Sequence, residues 1–225
     1  RTPVSENTPD STPHSRCFLQ PRCYAPVKQF SNANVRFRSG IVMRGSPPRL
    51  DMVTQVALEP EVRNELLSEC SGLAGLVEWL DSIDRRPGLD ELDLHLRSTE
   101  VNLAALKRCI GYADDGYQRN VIKNSEFYEL VAICWTPGQE TPIHDHVGSD
   151  CAFLILDGVS TETIYETNEE GLAYPINVRS YQPGDVCAAE EPDIHRVSND
   201  TDSELVNVHI YTPPLYAYNI YAPAE

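Results

Sequence analysis

Between Pro60 and Ile83 the apolar residues Val62, Leu66, Cys70, Leu73, Val77 and Leu80 recur at three- and four-residue spacing, which predicts one helical face. Pro87-Gly88 ends that run. Leu89, Leu92 and Leu96 open a second helix, and Leu103, Leu106 and Ile110 a third. After about Tyr117 the pattern changes to short β-rich runs separated by Gly, Pro, Asn and Asp, with strands predicted at 127–135, 151–157, 160–167, 178–181, 186–188, 195–197 and 204–212. Helices first and many short strands afterwards predict an α+β chain, predominantly β, in which an antiparallel jelly-roll barrel carries the N-terminal helices outside it.

The last predicted strand has two unlike faces. Val206, Val208 and Ile210 form an apolar one, while Leu205, Asn207, His209 and Tyr211 place an Asn, a His and a Tyr on the other. Alternation alone leaves two readings open. The polar face meets solvent, or it looks into a small barrel, where inward polar groups usually mean a site.

Residues 1–51 differ from the rest of the chain: they are rich in Pro, Ser, Asn and Arg and have no sustained period. They read as a disordered tail, a processed transit-type segment, or sequence upstream of a start at Met52; disorder is expected under all three, with no catalytic role. Residues 52–225 are then expected to form one domain, helical over about 59–112 and barrel over about 117–215. The net charge is −16 and unevenly spread, since the part beyond residue 51 holds ten basic against 31 acidic residues, or −21. Such a surface repels phosphate backbones, so no nucleic-acid partner is expected. No run of about 18 apolar residues occurs, so no membrane span is expected. Seven cysteines without a C-x-x-C pair argue against a disulfide framework and a structural zinc site. Cys70, Cys109 and Cys134 read as buried core thiols, and a reducing, cytoplasmic compartment fits best. A monomer acting on small molecules is the expectation.

The candidate chemistry lies in 138–158, where His144 and His146 stand two apart in a segment of strand character that directs both imidazoles to one side. Adjacent imidazoles are a metal-ligand arrangement that a third ligand would complete as a facial triad. Gly138, five residues, His144, one residue, His146, four residues, Cys151, six residues and Gly158 resemble the first motif of the cupin family, with Cys151 where cupins usually carry Glu. Over roughly Leu73 to Pro214 the chain resembles cysteine dioxygenases of that family. Four segments carry the likeness: 117–120 (Tyr117 to Asn120); Cys134-Trp135 through His144-Asp145-His146 to Cys151; His195-Arg196-Val197; and 209–214 (His209 to Pro214).

That resemblance implies an Fe(II) site held by His144, His146 and His195, where neutral imidazoles leave the iron dicationic and able to take a thiolate and an amine from substrate. It implies oxidation of L-cysteine by dioxygen (O2) to a sulfinic acid. Arg119, with Tyr117 beside it, would clamp the substrate carboxylate. Cys151 and Tyr211 would form a thioether cross-link near the iron, with His209 hydrogen-bonded to the phenol. The chain departs from the better-known members at Asn207, where they have Ser, and around Glu190 and Pro192, where the second cupin motif is altered. Other readings remain: a dioxygenase for 3-mercaptopropionate or cysteamine, a four-ligand cupin isomerase or decarboxylase in which Asp150 completes the shell, or a non-catalytic cupin.

Overall fold

The computed structural model describes residues 53–189 and 194–224; the expectation for 1–51 lies outside them. Strand β1 (Val53–Ala57) leads into helices α1 (Pro60–Glu69), α2 (Ser71–Ser82), α3 (Leu89–Ser98) and α4 (Leu103–Cys109). The strands β2 (Tyr117–Asn124), β3 (Glu129–Trp135), β4 (Asp150–Asp157), β5 (Ser160–Thr167), β6 (Ala173–Tyr181), β7 (Val186–Ala189), β8 (Ile194–Ser198) and β9 (Leu205–Thr212) follow. They form a six-stranded sheet, ordered β1-β2-β3-β9-β4-β7, and a three-stranded sheet, ordered β6-β5-β8. The result is the α+β, predominantly β cupin architecture, with its strands in two facing sheets rather than one closed ladder. Every strand pair is antiparallel except β1 with β2, a parallel addition at the sheet edge.

The two faces of the large sheet do different work, because successive strand residues point to opposite sides. Leu130, Ala132, Cys134, Ala152, Leu154, Val206, Val208 and Ile210 meet the helices through Leu66, Leu73, Leu80, Leu92, Leu96 and Leu106. Cys70, Cys109 and Cys134 are buried in this layer, as their apolar neighbours indicate. The opposite face carries Val131, Ile133, Trp135, Cys151, Phe153, Ile155, Leu205 and Tyr211, which pack inside the barrel with Val197. All eight residues of β9 are buried, so its Asn-His-Tyr face looks into the barrel and not into solvent.

The single helix expected over Pro60 to Ile83 is two helices. Cys70 breaks it with φ −129° and ψ 81°. At Gly72 a Cβ would lie 2.0 Å from the Glu100 carbonyl oxygen, so glycine lets the α3–α4 connection cross the start of α2. That connection is fixed there by the Asn102 amide donating to Cys70 Sγ at 3.2 Å, while Asn102 Oδ1 caps α4 by accepting from the Ala105 amide. Gly158 serves the β4–β5 turn in a similar way. Its φ is +75°, and a Cβ there would meet the Glu204 carbonyl oxygen at 2.3 Å.

Candidate metal centre

His144 and His195 face each other across a reciprocal pair of backbone hydrogen bonds, each amide donating to the other's carbonyl at 2.9 Å. The segment around His144 and His146 is not a ladder strand, as expected from its sequence, but an extended stretch with isolated bridges. Its backbone groups still alternate in direction. Those of His144 meet β8, whereas the Ile143 carbonyl and the Asp145 and Val147 amides meet Tyr221, Asn219 and Ala217. The alternation keeps both imidazoles on one side.

Asp145, between the two histidines, is the anchor of this arrangement. Its carboxylate accepts from the Asn219 amide at 2.8 Å, Asn219 Nδ2 at 2.8 Å and the Tyr221 hydroxyl at 2.7 Å. The C-terminal segment is thereby strapped over the histidine loop.

The three imidazoles form a near-equilateral triangle, with ring centroids 5.1 Å apart for His144–His146, 4.7 Å for His144–His195 and 4.9 Å for His146–His195. One ring nitrogen from each lies within 4.8 Å of the others, a spacing that could hold a metal ion. His144 Nδ1 lies 2.9 Å from the Pro142 carbonyl oxygen, so Nδ1 carries the proton and Nε2 keeps its lone pair. His146 Nε2 is buried without a hydrogen-bond partner, a costly state that a cation would relieve. Burial holds all three below their ordinary pKa, and for His146 and His195 the neighbouring histidines add to it. Neutral imidazoles that gather one ring nitrogen each this closely fit a divalent transition metal. Asp150 is absent from the cluster; its carboxylate pairs with Arg86 at 2.7 Å.

Beside the triangle, Cys151 and Tyr211 are directly opposed in the β4–β9 register. His209 lies between their polar ends, Nδ1 being 3.4 Å from the Tyr211 hydroxyl and 3.6 Å from Cys151 Sγ. The Tyr211 ring sits 5.4 Å from that of His146. Burial pushes the phenol and the thiol well above their ordinary pKa and holds His209 down to about 3, with Arg119 and His144 contributing. Arg119 places its guanidinium carbon 5.0 Å from the Tyr211 ring centroid. Tyr117 stacks on Trp135 at 4.4 Å, and its phenol is pushed up to about 12, chiefly by burial. All eight residues singled out from the sequence therefore line one interior region.

Three neighbours were not foreseen. Glu129 accepts from Arg119 Nη2 at 2.6 Å, and Gln55 accepts from Arg119 Nε at 3.1 Å. Glu162 is buried, accepts from the Tyr181 hydroxyl at 2.9 Å and lies 4.0 Å from His195 Nδ1. Glu129 did leave a signal: a charged residue in phase with Val131, Ile133 and Trp135. At the Asn207 departure Oδ1 accepts from Trp135 Nε1 at 3.1 Å, while Nδ2 is buried without a hydrogen-bond partner. A surface cleft of about 570 Å³ between α3 and β7 contains none of these histidines.

Among curated relatives, cysteine dioxygenase type 1 of Rattus norvegicus is 29% identical over 163 residues, 68% of this chain and 79% of that protein. The Bos taurus enzyme is 32% identical over 135 residues, covering 56% and 66%. The Danio rerio enzyme is 31% identical over 104 residues, 44% of this chain and 52%, about half, of the relative. Among solved structures, a conserved protein with a double-stranded β-helix domain from Klebsiella pneumoniae has a TM-score of 0.44 and 17% identity, covering 55% of this chain and 94% of that one. The family profile of cysteine dioxygenase type I matches residues 69–223, a span that takes in the three histidines, Arg119, Cys151, Tyr211 and the strap over the histidine loop. On that match the chain belongs to the cysteine dioxygenase type I family.

Proposed function

We propose that this protein is an Fe(II)-dependent thiol dioxygenase that converts L-cysteine and dioxygen to cysteine sulfinic acid, both oxygen atoms ending on sulfur. The observation that carries the reading is a triangle of neutral histidines, His146 and His195 buried and His144 half-buried, with no carboxylate among its ligand atoms, beside an interior arginine. His144, His146 and His195 would hold the iron, which supplies a dicationic centre that favours the thiolate form of substrate and activates dioxygen. Arg119 orients the substrate through its carboxylate, and Tyr117 fills the wall next to it. Tyr211 offers a phenol that stays protonated beside the histidines, and His209 Nδ1 fixes where that hydroxyl points. The Ser149–Pro213 hydrogen bond and the Asp145 strap hold the chain beyond β9 against the histidine loop.

Cys151 and Tyr211 also belong to the proposal as a pair competent to form a thioether. Forming it removes one hydrogen from the thiol and one from the ring, with dioxygen as the oxidant. The direct cross-strand register supports this, because such pairs bring Cβ atoms to about 5 Å. The partners are small molecules. The charge of −21 beyond residue 51 speaks against nucleic acid, and no helix among the described residues is long and apolar enough to cross a membrane. A reducing, cytoplasmic setting and a monomeric state complete the proposal, the former supported by the five free cysteines of the described residues.

The test is to incubate Fe(II)-loaded protein with cysteine, 3-mercaptopropionate or cysteamine in air and to identify products by mass spectrometry. Cysteine sulfinate is expected. Its absence overturns the reading, and a sulfinate from another thiol alone corrects the substrate.

A further inference from the structure

Arg119 already has a carboxylate. Its side chain and that of Glu129 are 10% and 4% exposed, and Nη2 lies 2.6 Å from Oε2. Gln55 takes a second donor, Nε. Two of the five guanidinium N–H groups, and its charge, are therefore committed before any ligand arrives. Glu129 cannot simply swing away, because it sits on the interior face of β3, directly opposite Tyr211 in the β3–β9 register. Burial works against the arginine's charge, yet Glu129 keeps it protonated more firmly than usual.

We infer that Glu129 is a specificity-determining residue that weakens the hold of this site on a substrate carboxylate. The inference rests on the proposed reading that Arg119 faces the substrate. The N–H groups that Glu129 and Gln55 do not hold can still donate to a substrate carboxylate, but that group then shares one cation with Glu129. Two carboxylates on one cation repel each other, more strongly in a buried site than in water. A thiol with no carboxylate, such as cysteamine, meets a neutral Arg119–Glu129 pair and feels no such repulsion. Glu129 therefore sets the preference between the two kinds of thiol, while Arg119 alone would favour the carboxylate strongly.

Anaerobic calorimetry on the Fe(II)-loaded protein measures this without turnover, with cysteine and cysteamine as ligands. Glu129→Gln is expected to bind cysteine about tenfold more tightly than the wild type, while cysteamine changes by less than about twofold. Glu129→Asp keeps the charge but draws it back by one methylene, and a gain of about threefold for cysteine is expected. Unchanged or weaker cysteine binding in Glu129→Gln, or equal changes for both thiols, overturns the inference. If Glu129→Gln does not fold, as judged by circular dichroism, Glu129→Asp decides, and unchanged cysteine binding overturns it. Wild-type protein that binds these thiols but yields no sulfinate defeats the proposed activity instead, and the binding ratios still judge Glu129.

Discussion

Replacing Arg119 by Met tests the buried pair through stability alone. The substitution keeps most of the side-chain volume but leaves Glu129, 4% exposed, without the cation it touches at 2.6 Å. Removing one partner of a buried ion pair destabilises by about 3–5 kcal/mol, because the remaining charge is desolvated and uncompensated. Losing the Arg119–Gln55 hydrogen bond adds about 1 kcal/mol at most, since Gln55 lies at the sheet edge and water can replace the donor. The expected loss for Arg119→Met is therefore about 4 kcal/mol, a large fraction of the stability of an ordinary domain. Adding Glu129→Gln removes the stranded charge, so the double variant should recover at least about half of that loss. Urea unfolding at pH 7.5, followed by the fluorescence of Trp79 and Trp135, gives both numbers, and unchanged m-values confirm a common two-state transition. A single variant within about 1 kcal/mol of wild type, or a double variant no more stable than the single, refutes the claim that this pair is buried and mutually dependent.

Three further outcomes are expected in other parts of the molecule. Leu106→Ala empties a fully buried position between α4 and the sheet and should cost about 2–5 kcal/mol in urea unfolding; a loss under about 1 kcal/mol contradicts the packing. Asp145→Asn turns one carboxylate oxygen into an amide and breaks part of a three-donor cluster, with an expected cost of about 1–3 kcal/mol and faster proteolytic cleavage within 215–224; unchanged cleavage removes the strap from the account. His209 titrates near 6.5 when unfolded and at about 3 in place, mainly because burial disfavours its charged form. Its folded pKa is the lower one, so its contribution is complete above pH 6.5 and is lost as pH falls below that, by about 1.4 kcal/mol per pH unit. Between pH 7.5 and 5 the stability of wild type relative to His209→Gln should fall by about 2 kcal/mol; a difference that does not vary with pH rules the buried neutral His209 out.

Where one periodicity dominates, the sequence was legible. The β9 alternation separated Val206, Val208 and Ile210 from Asn207, His209 and Tyr211, and the structure puts the first set under the helices and the second inside the barrel. The direction of the polar face was not legible, because alternation cannot say which side faces water. Strand β2 was harder still. Gln118, Arg119 and Asn120 interrupt its apolar pattern, yet all three are buried, and Arg119 and Asn120 find partners elsewhere in the chain. Asn120 accepts from the Gly111 amide at 3.0 Å, a contact that no strand periodicity encodes, and from its strand neighbour Gln118 Nε2 at 2.8 Å. The break at Cys70 was hidden for the same reason, since the helical period continues through it while a crossing loop, admitted by Gly72, ends the helix. Strand β1 is five residues long and mostly exposed, so it carried almost no hydrophobic signal.

The histidine loop shows how a local rule can give the right geometry for an incomplete reason. Two-residue spacing on a strand aligns the side chains, and His144 and His146 are aligned, but no regular ladder enforces it. The loop is held from both sides. His144 pairs with His195 through backbone hydrogen bonds, and the opposite edge pairs with Ala217, Asn219 and Tyr221, residues beyond the point near 215 where the barrel was expected to end. The Asp between the two histidines makes this second edge durable, because a buried carboxylate with three donors is stable only while those donors stay in place. The positions of two imidazoles are thus coupled to a segment more than 70 residues away in sequence, with Asp145 and Tyr221 separated by 76. Any substitution that loosens the 217–223 strap should widen the histidine triangle before it disturbs the hydrophobic layers, since none of the strap's hydrogen bonds to the loop passes through the helix-packed core.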